Sequence, residues 1–331
     1  VDSIAFMNNF AAFFQVTTLV MIILCVLLLP SDLSTGEEVF SRFYNDSGFD
    51  NNGYVVMIGM LFGVYAFTGY ESPAHMAEET QGSTINAPMG IIYTIVASGV
   101  VGLAYIVSLL FATKDIDAAV NGENSSVPIN IFIIACGSQW GEALAWMLVV
   151  NIFFGGISSV AVTGRITFAL MRDKAFPHHD FFGRVHPTLQ TPINSILFDA
   201  VIGIAFLLIG LDPKNGYTAF NSILSLCTIG FQVSYALPIA LRLYFDLPGF
   251  PETPMNLGKW SRPTMWVSVI WLFGTAIIFF LPQAAPITPD SMNWASVVTS
   301  LVVLMCGINW HFNSQYTFKG PKRALSIMST V

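Results

Sequence analysis

The hydrophobic pattern of this 331-residue chain is a series of long apolar runs separated by short polar segments. A bilayer core of about 30 Å needs roughly 20 apolar residues per helix, and eight runs reach or approach that length. The pattern predicts an all-α polytopic membrane protein, a single membrane domain over residues 1–331 with about eight transmembrane helices, and a short helix within 124–136 that lies at the surface. The eight predicted spans cover residues 5–29, 54–80, 89–112, 141–171, 192–210, 217–245, 264–282 and 293–312.

The second run, residues 54–80, is interrupted by the stretch AFTGYESPAH. Gly69 weakens helix propagation, and Pro73 cannot donate the backbone hydrogen bond that an interior helix position requires. Ser72 followed by Pro73 is typical of a helix start, with Ser at the N-cap and Pro at the first helical position. The pattern predicts two half-helices, one ending near Phe67 and one beginning near Pro73, joined by an extended segment.

Glu71 lies in this interruption and places an acid at membrane depth. Irregular backbone at that depth is tolerated only where protein or a water-filled cavity surrounds it, and broken helices of this kind form substrate sites in secondary transporters. Intramembrane acids are also candidates for functional sites. The alternative is a plain proline kink, with Glu71 reaching the interface or pairing with His75 one turn later. The clustering of Gly, Glu, Ser and Pro favours the substrate site.

Composition agrees with a membrane protein and excludes several other classes. The chain is 54% hydrophobic and 10% charged, whereas soluble domains carry about 25% charged residues. It therefore belongs in a lipid bilayer, and no basic stripe indicates nucleic acid. The four cysteines have no metal-binding spacing and no disulfide framework. We expect no metal site, no cofactor and, without a nucleophile–base arrangement, no enzyme.

The basic residues predict how the spans are oriented. If the first span ends outside, three of the 13 basic residues are external, and a cytoplasmic C-terminus follows. Two N-x-[ST] acceptors, Asn45 and Asn124, fall in predicted external loops and are glycosylation candidates. The external basic residues are Arg42, Lys114 and Lys214, and the internal ones are Arg165, Arg172, Lys174, Arg184, Arg242, Lys259, Arg262, Lys319, Lys322 and Arg323.

Several motifs in order carry a family resemblance. FTGYESPAHMAEET, followed by NAPMGI, resembles the sixth span of the amino acid–polyamine–organocation superfamily. GRITFALMRDKAFP with VHPTLQTPIN is similar to the loop after the eighth span, and SLCTIGFQVSYALPIALR is similar to the tenth. NLGKWSRP and YTFKGP resemble the loop before the eleventh span and the end of the twelfth. The branch it most resembles is the amino acid/choline transporters, with fungal GABA and choline permeases and plant bidirectional amino acid transporters.

The resemblance implies a five-plus-five inverted repeat followed by two extra spans. This chain would then hold the equivalents of spans 5–12 and be a C-terminal fragment, an expectation that its first residue, Val1, also supports. In the family, a broken first span grips the substrate carboxylate. The chain would accordingly need the N-terminal spans 1–4 as a partner to complete the site.

The resemblance also implies roles for residues of the interrupted span. The backbone carbonyls of Tyr65 and Thr68 would accept hydrogen bonds from the substrate amine, and Gly69 would mark the break. This agrees with the partial negative charge at a half-helix C-terminus. Phe67 would add an aromatic face against the cation, and Glu71 would act in proton coupling or gating.

Coupling and gating have further candidates outside this span. Sodium-coupled relatives place adjacent hydroxyls as ion ligands where Ser158 and Ser159 stand, although small residues there also permit close helix packing. Proton-coupled relatives can carry a lysine in the fifth span, and residues 5–29 contain none. The coupling ion, H⁺ or Na⁺, therefore stays open. Arg172 and Asp173 would belong to a cytoplasmic gate loop.

The resulting hypothesis is secondary active transport of amino acids or related small amines, including GABA and choline, by alternating access. The alternative is a transport-inactive membrane sensor or scaffold on the same fold. Asp199 is a second intramembrane acid, interpreted as an interior polar contact or a lineage-specific feature without a transport role. The sequence leaves open the substrate, the direction of transport and whether the chain resides in the plasma membrane or an endomembrane.

Overall fold

The computed structural model describes residues 2–77, 80–124, 126–189, 191–212, 216–245, 254–288 and 292–320. Every regular element within these residues is helical. The backbone divides into two compact units. The first comprises Val1–Tyr44 and Tyr93–Ala161, and the second comprises Asn45–Ile92 and Val162–Val331. Three of the basic residues used to orient the spans, Lys214, Lys322 and Arg323, lie outside the described residues.

Thirteen α-helices follow one another along the described residues. Six apolar helical segments are long enough to cross a membrane, and the last of these six runs from Ala295 through Thr317. The number of spans stays a prediction, because the six include neither α3, which is shorter than a full crossing, nor α11. In chain order the helices are α1 (Asp2–Leu28), α2 (Gly36–Ser41), α3 (Asn52–Ala66), α4 (Ser72–His75), α5 (Ser83–Ala112), α6 (Ile116–Val120), α7 (Val127–Arg172), α8 (His179–Phe182), α9 (Ile193–Gly210), α10 (Gly216–Phe245), α11 (Ser261–Ile278), α12 (Ala295–Asn309) and α13 (Gln315–Thr317).

The first unit packs parts of α1, α5 and α7 around a small apolar core. Ile22 and Val26 of α1 meet Phe132 and Leu144 of α7 there, and Phe132 is fully buried. A break in α7 at Gly137, where φ is +79°, separates the segment that carries Phe132 from the rest of the helix. The predicted short helix within 124–136 therefore packs its inner face into this core through Phe132. Its position at the membrane surface stays a prediction.

Asn130 fastens the loop before α7 to this core. Its side-chain amide donates hydrogen bonds to the carbonyls of Ala119 and Asn124, at 3.0 and 2.9 Å. Its side-chain oxygen accepts bonds from the backbone and side-chain nitrogens of Asn124, both at 3.1 Å. A buried amide is stable only when such bonds are made, so Asn130 determines the path of residues 119–124.

The connection between α1 and α5 contains a complete capping box. The backbone nitrogen of Thr35 donates to the Glu38 carboxylate at 2.7 Å, and the Thr35 hydroxyl accepts from the Glu38 backbone nitrogen at 3.3 Å. The backbone hydrogen bond from Thr35 holds the pKa of the exposed Glu38 carboxyl below its ordinary value. The pair explains why α2 begins immediately after Thr35.

The second unit is organised around α10. Its core joins Leu61 of α3, Ile229 of α10, Phe279 after α11 and Ala295 of α12. At the start of α3, the hydroxyl of Tyr54 donates to the Pro282 carbonyl at 2.5 Å. These contacts hold α3 against the elements that follow α11, so the interrupted segment begins from a fixed helix.

The last turn of α7 closes on a left-handed residue, Lys174, with φ at +60°. Its backbone nitrogen donates to the Met171 carbonyl and that of Ala175 donates to the Leu170 carbonyl, both at 3.0 Å. This pair of bonds is a Schellman motif, in which glycine usually occupies the left-handed position. A residue with a Cβ atom is strained there.

Replacing Lys174 by glycine is expected to stabilise the protein by about 0.5–1 kcal/mol, because glycine adopts the left-handed conformation without that strain. Thermal unfolding in detergent measures the change. Lys174→Ala is the matched control, since it removes the charge and the long side chain but keeps Cβ, and it should bring no comparable gain. Equal stability of the glycine and alanine variants would contradict the backbone explanation.

Candidate functional site

The interrupted segment follows α3 as a chain of tight turns. The backbone nitrogens of Thr68, Tyr70 and Ser72 donate to carbonyls three residues earlier, at 2.9, 3.3 and 3.1 Å. The first half-helix ends at Ala66 with Phe67 as its C-cap, as the sequence predicts. The predicted extended conformation is wrong, because these three-residue turns compensate part of the broken helical hydrogen bonding.

Gly69 sits at the centre of these turns with φ at +103°. That conformation is essentially restricted to glycine. A Cβ atom built on Gly69 would meet no atom within 4 Å. Backbone conformation, rather than lack of space, thus explains the glycine.

The second half-helix, α4, begins one residue earlier than expected. Glu71 precedes it as the N-cap, and Ser72 is its first residue. The Ser72 hydroxyl donates to the Gly69 carbonyl at 2.8 Å instead of accepting from the helix, so its predicted capping role is wrong. Pro73 packs close to Gly90 of α5, where an added Cβ would lie 3.0 Å from the proline ring. α4 is therefore anchored by the start of α5.

The two predicted substrate-binding carbonyls differ in their hydrogen bonding. The Tyr65 carbonyl already accepts the Thr68 backbone nitrogen at 2.9 Å. No described residue donates to the Thr68 carbonyl. Tyr65, Phe67 and Thr68 have exposed side chains, whereas Glu71 is only 7% exposed. An exposed acceptor thus lies three residues before a buried carboxylate.

Glu71 is buried among aromatic side chains. The ring of Tyr235 lies 5.7 Å from that of Tyr70 and 6.1 Å from that of Phe231, between centroids. The Glu71 carboxylate is near enough to the Tyr235 hydroxyl for electrostatic interaction, yet no described group meets hydrogen-bond geometry with that hydroxyl. No local sequence pattern indicated that Tyr70 and Tyr235 would border this carboxylate.

No basic group among the described residues pairs with Glu71. The Nε2 atom of His75 is buried without a hydrogen-bond partner, so the alternative Glu71–His75 pair does not form. The burial of Glu71 also argues against the alternative in which its side chain reaches the interface. Burying a carboxylate without a counter-charge costs folding free energy, and such groups are found at sites that exchange a proton or bind a cation.

A polar face of α10 continues beyond Tyr235. Ser225, Thr228 and Gln232 are buried along this face, at helical spacing. The Gln232 side-chain oxygen accepts the hydroxyl of Thr275 on α11 at 3.1 Å, and its nitrogen is buried without a partner among the described residues. Part of this polar set therefore bridges two helices.

The candidates for coupling and gating lie on different elements. Arg172 and Asp173 contact each other at the end of α7, with 3.3 Å between Nε and Oδ1. Ser158 and Ser159 lie on α7 within the first unit, and both are exposed. Among the described residues, no group of three or more His, Cys, Asp or Glu could hold a metal ion.

Asp199, the second intramembrane acid, makes the interior contact that the sequence suggested. Its Oδ1 accepts the hydroxyl of Thr167 at 2.9 Å, joining α9 to α7 within the second unit. Its Oδ2 is buried without a hydrogen-bond partner among the described residues. The contact makes Asp199 an interior polar bridge between two helices, and its expected lack of a transport role stays a prediction.

The two glycosylation candidates differ in their surroundings. The side chain of Asn45 is exposed, and its oxygen accepts the backbone nitrogen and hydroxyl of Ser47, at 3.0 and 2.7 Å. The side-chain nitrogen of Asn45 donates to the Phe49 carbonyl at 2.7 Å, and that of Asn124 donates to the buried Asn130 at 3.1 Å. Both asparagines are exposed, so both stay candidates for glycosylation.

Comparison with known proteins relates this geometry to a family. The model of a family described as "Amino acid permease" matches residues 1–303. The chain is 31% identical to the amino-acid permease BAT1 homolog of Oryza sativa subsp. japonica and 30% identical to the amino-acid permease BAT1 of Arabidopsis thaliana. These alignments cover 96% and 97% of the chain. A candidate polyamine transporter of Candida albicans is 26% identical over 88% of the chain and 54% of its own length.

The chain spans 62% of the length of the rice relative and 63% of that of the Arabidopsis relative. Its matched region therefore corresponds to less than two thirds of either protein. With its membrane-length helices, the match identifies an integral membrane protein.

Proposed function

We propose that this chain, which belongs to the amino acid permease family, forms part of a secondary transporter that moves amino acids or related small amines by alternating access. The observation that carries the proposal is the buried Glu71 carboxylate, without a basic partner among the described residues, beside a helix broken at Gly69. A role of this carboxylate in the transport cycle would explain why an acid occupies a position where its burial costs free energy.

The open Thr68 carbonyl is the proposed acceptor for the substrate amine. It lies after the C-terminus of α3, where the partial negative charge of the helix favours a cation. The Tyr65 carbonyl has a second lone pair and would assist, and the exposed rings of Tyr65 and Phe67 offer an aromatic face. A quaternary amine such as choline cannot donate to carbonyls and would depend on those rings, whereas amino acids and GABA could use both features.

Glu71 is the proposed coupling or gating residue. A proton or substrate amine reaching the carboxylate would offset its desolvation cost, and that offset would differ between two conformations of the transporter. Tyr235 and Tyr70 border the carboxylate and would shield it from water. The Arg172–Asp173 pair is the proposed gate at the cytoplasmic side, and exposed Ser158 and Ser159 are the proposed ligands if Na⁺ is the coupling ion.

The proposed site is incomplete without further membrane spans. In the resembling family, a broken first span holds the substrate carboxylate, and the equivalents of spans 1–4 would have to supply that half. We propose five-plus-five repeat architecture for the complete polypeptide, with this chain providing the equivalents of spans 5–12. The C-terminus would be cytoplasmic, in the plasma membrane or an endomembrane.

Uptake into liposomes tests the proposed function. The complete polypeptide that carries this chain is reconstituted, and radiolabelled amino acids, GABA and choline are supplied separately. Saturable uptake of at least one of them is expected. If a folded, correctly inserted protein transports none of these compounds, the alternative of a transport-inactive sensor or scaffold is favoured instead.

Removal of Asn45 tests the proposed orientation. When the polypeptide is made in a eukaryotic membrane, Asn45→Gln is expected to reduce the glycosidase-sensitive shift in gel mobility by one glycan, because the exposed acceptor would face the lumen. Asn52→Gln, an exposed neighbour outside any acceptor motif, should leave the shift unchanged. If wild-type protein shows no glycan at Asn45, the proposed outside position of this loop is contradicted.

A further inference from the structure

Three side chains at the end of the described chain hold the turn that closes α7. The hydroxyl of Thr317 donates to the Lys174 carbonyl at 2.8 Å. The hydroxyl of Ser314 and the side-chain amide of Asn309 both donate to the Ala175 carbonyl, at 2.5 and 3.0 Å. These residues are 134 to 143 positions apart in sequence from the carbonyls they bind. We call Asn309, Ser314 and Thr317 the clasp.

A π-helical turn, Trp310–Ser314, makes this convergence possible. Hydrogen bonding over five residues brings residues five apart toward one face, which an α-helix does not do. Asn309 and Ser314 therefore lie together, and the Asn309 amide also donates to the Ser314 hydroxyl at 2.9 Å. Ser314 is only 3% exposed, and Asn309 and Thr317 are half-buried, so the hydrogen bonds of the clasp are partly shielded from competing water.

The clasp supplies partners to carbonyls that the end of α7 leaves open. The Schellman turn uses the nitrogens of Lys174 and Ala175, but their oxygens point away from the helix and need other donors. A folded turn is destabilised when one of its shielded carbonyls loses its hydrogen-bond donor. The position of the turn, which begins with Arg172 and Asp173, thus depends on side chains of the last helical segment.

We propose that Asn309, Ser314 and Thr317 are positioning residues that hold the Arg172–Asp173 pair in place for the transport cycle. This rests on the proposed function in so far as that pair is a gate. The side chain of Asp173 is 13% exposed and that of Arg172 is 31% exposed. Both side chains are therefore partly buried, and movement of the turn would change their surroundings. Release of the clasp would let the turn open locally and lower the population of the arrangement described here.

Trypsin cleavage after Lys174 measures opening of the turn without any transport assay. In the complete polypeptide, purified in detergent, Thr317→Val removes one donor with little change of shape. Cleavage after Lys174 is expected to accelerate about fivefold, the effect of one lost hydrogen bond on the opening equilibrium. Thr317→Ser keeps the donor and should cleave at the wild-type rate. The rate of cleavage after the exposed Arg184 serves as the internal standard for trypsin activity in each variant.

Uptake by the same variants in proteoliposomes tests whether the clasp positions the Arg172–Asp173 pair for transport. The maximal uptake rate of Thr317→Val is expected to fall by up to about fivefold with KM unchanged, because a hydrogen bond made in only one conformation of the transport cycle shifts the equilibrium between conformations by at most that factor. Thr317→Ser should restore it. Equal cleavage or equal uptake of the valine and serine variants would overturn the proposal. A wild-type protein without uptake would contradict the proposed function alone, and the cleavage ratio would still decide whether the clasp holds the turn.

Discussion

Replacing Glu71 by glutamine is expected to lower the rate of substrate uptake by at least about tenfold, equivalent to 1.4 kcal/mol or more in the transport barrier. Glutamine keeps the size of the side chain and its ability to contact Tyr235, but it can neither ionise nor exchange a proton. Uptake is measured in proteoliposomes with equal amounts of inserted protein.

Thermal stability should respond to the same substitution in the opposite direction. Because no described basic group pairs with the buried carboxylate, its removal relieves a desolvation cost, and the unfolding temperature should stay equal or rise. A residue that lowers activity while it adds no stability is functional rather than structural.

Asp199 provides the matched control for Glu71, because it is also an intramembrane acid. Its Oδ1 accepts the Thr167 hydroxyl, and asparagine retains that acceptor. Asp199→Asn is therefore expected to keep most of the uptake rate. If Glu71→Gln reduces uptake no more than Asp199→Asn does, Glu71 has no special part in coupling or gating.

Replacing Gly69 by alanine is also expected to abolish most transport, but the cause is backbone strain and not the loss of an ionisable group. Its φ of +103° costs a residue with Cβ about 1–3 kcal/mol, although the added methyl group meets no atom within 4 Å. The turns from Phe67 to Ser72 would relax, and the Thr68 carbonyl would move away from its position after α3. Uptake and unfolding temperature, measured together, are both expected to fall.

Gly63→Ala is the control for Gly69. Gly63 lies inside α3, and an added Cβ meets no atom within 4 Å there either. Alanine in a helix interior is expected to be neutral or to stabilise the protein by about 0.5–1 kcal/mol. A similar loss of uptake in both variants would show that added bulk, not the backbone of Gly69, is responsible.

The break in the second span could be predicted from sequence because it has local causes. Glycine and proline limit helix formation whatever surrounds them, so the end of α3 near Phe67 and the restart near Pro73 follow from residue type. The conformation between them could not be predicted. A serine hydroxyl can donate or accept, and only the folded position of Ser72 determines that it donates to Gly69.

Other features depend on contacts that are distant in sequence and leave no local pattern. The environment of Glu71 is set by Tyr235 on α10, and the end of α7 is held by residues from Asn309 onward. Asn130 illustrates the same limit at shorter range, because an asparagine before an apolar segment gives no indication that it will be buried with all its hydrogen bonds satisfied. Family resemblance predicted a candidate site, whereas these partners could be identified only from the structure.

Counterflow in proteoliposomes tests the central claim most directly. The complete polypeptide is reconstituted, the liposomes are loaded with unlabelled substrate, and entry of the labelled substrate is followed over time. An alternating-access carrier is expected to show saturable entry that internal substrate accelerates, and Glu71→Gln is expected to remove that acceleration. Entry that neither saturates nor responds to internal substrate, from protein that is folded and inserted, would contradict the account.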